Sequence, residues 1–177
     1  MVFTVAELGD GVVELRPWSQ DDAPAIAEAL DGDPEISKWL DLVPQPYTVM
    51  DAYAYLSAPG EEKFAVTDAE TGRVLGSIGI RWNETGDTGE IGYWVRSDAR
   101  GRGVMTRALR LVARRAFEVD GAARLQLRAD PVNVASCRVA EKAGFTREGV
   151  LRSVYWNERL GRRQDHVLFS LLPGELD

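Results

Sequence analysis

Glu90-Ile91-Gly92-Tyr93-Trp94-Val95, continued by Arg96-Ser97-Asp98-Ala99 and Arg100-Gly101-Arg102-Gly103-Val104-Met105-Thr106, is the stretch that decides the fold. A strand runs into a glycine-rich turn. The turn opens a segment, Val104 to Phe117, whose apolar residues Met105, Ala108, Leu109, Val112 and Ala116 recur at helical spacing. This order has a physical use. Glycines let the backbone approach a ligand closely. The first amides of a helix lack intrahelical partners, and the helix dipole favours an anion there. Nearby arginines add charge-assisted bonds. The outline is that of a pyrophosphate cradle. It is not a Walker loop, because Thr106 and Arg107 stand where that loop needs glycine and lysine. The dinucleotide fingerprint also fails, since Thr106 replaces its third glycine.

Upstream, Phe64–Thr67, Val74–Trp82 and Glu90–Val95 read as strands, with Gly76 and Gly79 interrupting the second. Their short connections predict an antiparallel meander. Val12–Arg16 reads as a first strand stopped by Pro17. Ser19 with Asp22, and Thr48 with Asp51, have capping-box spacing and predict two helix starts. Between those helices lie Ile36–Leu40 and a proline-broken loop, Val43–Tyr47. Downstream, Leu125, Leu127 and Ala129 alternate as a strand ended by Pro131. Ser136–Ala143 reads as a short helix closed by Gly144. Two apolar runs, Val150–Tyr155 and His166–Leu172, predict a final strand pair. The order implies a mixed α/β sheet sandwiched by helices.

The 177 residues suit one domain, residues 1–177. Apolar residues at 45% and charged residues at 28% fit a globular chain with a real core. No apolar run is long enough to span a bilayer. Met1–Glu7 lacks the cationic and apolar regions of an export signal, so a cytoplasmic protein is expected. A single cysteine, Cys137, and a single histidine, His166, argue against a cysteine- or histidine-built metal site. A formal charge of −7 disfavours nucleic acid. Inside this acidic chain, Arg96, Arg100, Arg102, Arg107, Arg110, Arg114 and Arg115 face one acid, Asp98, over residues 96–115. The island suggests either a compact anionic ligand or a solvated helix face.

Gly92–Val95 with Ala99–Gly103, then Asn133-Val134-Ala135-Ser136, then Glu141-Lys142-Ala143-Gly144-Phe145, resemble in order and spacing the acetyl-CoA-binding core of the GNAT superfamily of N-acetyltransferases. The likeness is to its Rim-type (RimJ/RimL-like) group, which includes ribosomal-protein N-terminal acetyltransferases. It extends from Leu15-Arg16-Pro17 to Ser170-Leu171-Leu172. The resemblance implies a mostly antiparallel sheet flanked by helices, with a splayed parallel strand pair at the cofactor site. It implies that the main chain of Trp94 and Val95 pairs with pantetheine and that the loop Arg100, Gly101, Arg102, Gly103, Val104, Met105 and Thr106 holds pyrophosphate. Asn133 is implied to meet the pantetheine arm or orient the acceptor, and Ser136 to lie near the thioester sulfur. Acetyl-CoA is then the cosubstrate, with no metal.

Two departures stand out. Met105 occupies a loop position that is usually glycine or alanine, so either its side chain points away from phosphate or the loop shifts slightly. Ala140 stands where many relatives carry a tyrosine acid, which makes Ser136 the substitute. Glu90 and Glu84 are candidates to relay the acceptor's proton. Trp39, Tyr47 and Trp156 are candidates for the acceptor pocket. Cys137 and His166 read as structural. The expected reaction is direct acetyl transfer to a primary amine in a ternary complex, with a peptide N-terminus favoured. A small-molecule or antibiotic amine, a succinyl-type donor and a non-catalytic acyl-CoA-binding module are the alternatives. No membrane partner is expected, and a homodimer is compatible with the reading.

Overall fold

The computed structural model describes residues 8–176. The N-terminal residues read above for an export signal lie outside this range. Among the described residues, seven strands form one sheet in the order β1-β2-β3-β4-β5-β7-β6. They are β1 (Val13–Pro17), β2 (Glu62–Asp68), β3 (Val74–Trp82), β4 (Thr88–Val95), β5 (Arg124–Ala129), β6 (Thr146–Asn157) and β7 (Arg162–Leu171). All neighbours are antiparallel except β4 and β5, which run parallel.

Helices cover both faces. α1 (Ala23–Leu30), α2 (Pro34–Trp39) and α3 (Val49–Ser57) lie between β1 and β2 in the chain. α4 (Val104–Glu118) connects β4 to β5, and α5 (Val134–Lys142) follows β5. Both capping boxes form. Ser19 caps a short 3-10 turn that leads into α1, and Thr48 caps α3. Each such cap is worth about 1 kcal/mol. The Ile36–Leu40 stretch is largely helical: buried Asp33 caps α2 by accepting from the amides of Glu35 and Ile36.

The alternation of strand side chains divides the interior in two. On one face, Leu109, Val112, Leu125, Leu127 and Phe169 join the α4 and α5 side chains in one core. On the other, Ile26, Leu30, Ile36, Tyr47 and Ala52 pack with Trp94. Trp18 stacks on Trp94 with ring centroids 6.4 Å apart. Trp94 is therefore a core residue by its side chain and can serve a ligand only through its main chain.

β3 runs unbroken through Gly76 and Gly79. The glycines make room rather than interrupt. A Cβ on Gly76 would run into the Trp94 carbonyl and the Val95 Cα, both backbone. Backbone cannot rotate away, so Gly76→Ala is expected to cost on the order of 2–3 kcal/mol. That is a fall in Tm of roughly 5–10 °C for a chain of this size. Thermal unfolding followed by circular dichroism checks it; an unchanged Tm would show that β3 and β4 can separate freely there.

Candidate active site

β4 and β5 pair at only three positions: Thr88 with Arg124, Gly89 with Leu125 and Glu90 with Gln126. Beyond them, Ile91–Val95 stays on β3 while Leu127–Ala129 stays on β7. The strands part like a wedge, as the resemblance implied. A cleft of about 850 Å³ occupies the gap, with Gly92–Val95 on one wall and Leu127–Asp130 on the other.

Glu90 closes the narrow end. Its carboxylate accepts from Gln126 Nε2 at 3.1 Å and from the Arg128 guanidinium. The structure places Glu90, a candidate relay by sequence, in this seam. Glu84 sits exposed in the turn between β3 and β4, and Trp156 is exposed on β6. None of these three is among the described residues that wall the cleft, whereas Trp39 and Tyr47 are. Trp39 donates its indole N–H to Glu35 at 2.9 Å. Burial lifts the Tyr47 phenol to about 12, so it stays neutral.

At the wide end, Gly101 and Gly103 adopt positive φ of 72° and 75°. Glycine takes this conformation without steric cost. Gly103 is the N-cap of α4 and offers no side chain to the first amides, those of Val104, Met105 and Thr106. Met105 is buried in the α4 core, so its bulk lies away from the loop surface. The Arg100 guanidinium donates to the Val95 carbonyl at 3.2 Å and pairs with Asp33. It fastens the loop to β4 and α2. Arg96, Arg107 and Arg115 are likewise held, by Glu28 and Asp98, by Asp10, and by Glu62 and Asp120. Much of the basic island thus braces the fold. A shallower depression of about 460 Å³ beside the loop is lined by Gly103, Thr106, Arg107, Arg110, Arg114 and Lys142, with Asp10. Three arginines and a lysine against one acid suit an anion.

Ser136 faces the cleft from the first turn of α5. Asn133 is the N-cap of that helix, its Oδ1 accepting from the Ser136 amide at 3.2 Å. The Asn-x-x-Ser spacing therefore fixes the helix start, and Asn133 also lines the cleft. Ser136 Oγ lies 2.9 Å from the Tyr93 hydroxyl. Burial holds that phenol at about 12, so it remains protonated and able to donate. The resemblance assigns main-chain contacts to Trp94 and Val95 and gives Tyr93 no role. The available signal was alternation, which sends Tyr93 to the α5 face and Trp94 to the opposite one.

Cys137 is half-buried with its thiol turned toward the Asp130 carbonyl, and burial pushes its pKa up. That is the behaviour of an inert thiol. His166 lines the cleft, stacked on Tyr155 with ring centroids 5.0 Å apart. Burial, and then Arg128, lower its pKa. Tyr155 in turn donates to Asp41 at 2.6 Å. The described residues contain no cluster able to hold a metal ion.

Residues 13–146 match the acetyltransferase (GNAT) domain family. The chain belongs to that family. It is an acetyl-CoA-dependent acetyltransferase, and the glycine loop, the open edge of β4 and the cationic depression suit the pyrophosphate, pantetheine and further phosphate of that donor. An uncharacterized N-acetyltransferase, p20, of Bacillus licheniformis is 26% identical over 168 residues, which cover 91% of this chain and 93% of that one. Among solved structures, RimL, a ribosomal L7/L12 alpha-N-protein acetyltransferase, superposes with a TM-score of 0.80 at 17% identity, covering 92% of this chain and 91% of that one. The microcin C7 self-immunity acetyltransferase MccE, solved with acetyl-CoA and AMP, gives 0.79 at 17% identity, covering 93% and 94%. At such identities these two likenesses speak for the fold alone.

Acetyl-CoA at a hundred times its Kd is expected to add about 2.7 kcal/mol of stability. This is read as a rise in Tm that NAD and ATP do not match. Gly103→Val should abolish the rise, because a β-branched residue resists positive φ and the loop must shift. An equal rise in variant and parent would place the phosphate site elsewhere.

Proposed function

We propose that the whole chain works as one N-acetyltransferase domain whose acceptor is the α-amine of a protein or peptide N-terminus. The observation that carries the reading is the wedge itself: an open strand edge leading from the glycine loop past Ser136. Acetyl-CoA supplies the acetyl group as a thioester. The residues supply position and polarity. The first α4 amides and the flanking cations take the phosphates, and the main chain of Trp94 and Val95 aligns the arm. Ser136 Oγ–H donates to the charge developing on the departing sulfur. Tyr93, 2.9 Å away, holds and polarises that hydroxyl.

The acceptor preference rests on proton energetics. An amine must be neutral to attack. At pH 7 this costs ~1.4 kcal/mol for an α-amine of pKa near 8 and ~4.6 kcal/mol for a lysine near 10.4. Glu90, which could have served as a base, is engaged by Arg128 and Gln126. The easier acceptor is favoured. The same fold serves RimL, an alpha-N-protein acetyltransferase, and MccE, a self-immunity acetyltransferase, so the preference rests on the proton energetics. Among the described residues no helix is long and apolar enough to cross a membrane.

A screen for thiol release from acetyl-CoA tests the reading, with peptides beginning with Ser or Ala, a polyamine and an aminoglycoside. Peptides should give the highest kcat/KM; turnover confined to the small amines would overturn the acceptor assignment. With a working acceptor, Ser136→Ala is expected to lower kcat by up to ~10²-fold. Acetyl-CoA affinity should hardly change, because the bond strengthens mainly in the transition state. Tyr93→Phe should cost less, and the double variant no more than Ser136→Ala, since the two hydroxyls act as a unit. Unchanged turnover in Ser136→Ala would reduce Ser136 to a packing residue.

A further inference from the structure

Four acids line the cleft: Glu35, Asp41, Glu61 and Asp130. Three are engaged. Glu35 accepts from Trp39, Asp41 from Tyr155 and the Glu158 amide, and Asp130 from Gln164 and the Val132 amide. Among the described residues, nothing donates to Glu61 or pairs with it. Lys63, the nearby cation of β2, is turned onto the carbonyls of Tyr55 and Ala58 at 2.8 and 3.0 Å.

The seat of Glu61 is built by glycine. Gly79 and Gly92 are register partners in β3 and β4, so neither presents a side chain on that stretch of sheet. A Cβ on Gly79 would lie 2.5 Å from Glu61 Oε1, and one on Gly92 3.9 Å away. Any larger residue at position 79 would displace the carboxylate. Gly92 is exposed and lies just past the last β4–β5 pair, at the mouth of the wedge. Strand alternation puts Gly92 on the same face as Trp94, the α1–α3 side. Tyr93 and Ser136 lie on the other face. A carboxylate and a hydroxyl pair therefore flank β4 from opposite sides.

We propose that Glu61 is the acceptor-binding residue: its carboxylate receives the ammonium of the incoming amine and sets a preference for cationic primary amines over neutral nucleophiles. The inference rests on the transferase reading above. A carboxylate facing an ammonium forms a charge-assisted bond stronger than one between neutral groups. The amine held at Glu61 loses one ammonium proton to solvent. The freed nitrogen lone pair forms the N–C bond, and the C–S bond breaks with its electron pair leaving on sulfur. A second nitrogen proton neutralises the thiolate.

Steady-state kinetics of Glu61→Gln and Glu61→Asp, with Ser- and Ala-initiated peptides and spermidine, test the assignment. Glu61→Gln should lower kcat/KM for the acceptor at least tenfold, mostly through acceptor KM. Its KM for acetyl-CoA and its acetyl-CoA-induced rise in Tm should stay within twofold of the parent. Glu61→Asp, which keeps the charge, should recover part of the loss. An unchanged acceptor KM in Glu61→Gln, with a parent that turns over, overturns the Glu61 assignment alone. So does loss of the acetyl-CoA-induced rise, which would make Glu61 a structural support. A parent that releases no thiol with any of the amines overturns the transferase reading and the assignment together.

Discussion

Two parallel strands that stop pairing while each keeps its other neighbour create the constraint on which the rest depends. After Glu90 and Gln126, β4 continues on β3 and β5 continues on β7. A buried backbone group without a partner is costly, so an unpaired inner edge calls for a ligand or water to complete it. An extended ligand with amides can add there as a strand would. The wedge is pinned at both ends by charge. Glu90 bridges the seam to Gln126 and Arg128, and Arg100 ties the far end, at the Val95 carbonyl, to Asp33 of α2. The same arginine sets the start of the glycine loop. Strand edge and glycine loop are thus held in one rigid relation.

Alternation along β4 sends neighbouring side chains to opposite faces of the sheet. Tyr93 turns toward α5 and meets Ser136. Trp94 turns toward α1–α3 and is locked in their core against Trp18. Gly92, on the Trp94 side, leaves a gap beside Glu61. Gly92 and Tyr93, neighbours in β4, thus face opposite sides of the sheet, one toward Glu61 and the other toward Ser136, because the strand period is two.

What could be read in the sequence was what local rules encode. The capping boxes at Ser19 and Thr48, the α4 periodicity and the glycine loop are all short-range patterns, and the structure forms them. α2 is too short, at six residues, to show a helical period, and its one sequence signal is the Asp33–Pro34 start. Gly76 and Gly79 were read as interruptions, although their reason is the backbone and carboxylate that approach them from elsewhere in the chain. Glu90 looked free in sequence because its partners, Gln126 and Arg128, lie more than thirty residues on. Glu61 carried no motif at all. That no described residue donates to it is visible only in three dimensions.

Amide hydrogen exchange with and without acetyl-CoA tests most directly whether the wedge is the donor site. Exchange should slow together at the β5-facing amides of Gly92–Val95 and at Arg102–Thr106, with little change in β1 or β6. Protection absent from both segments, or confined to a different part of the sheet, would contradict the assignment of the parted strands as the acetyl-CoA site.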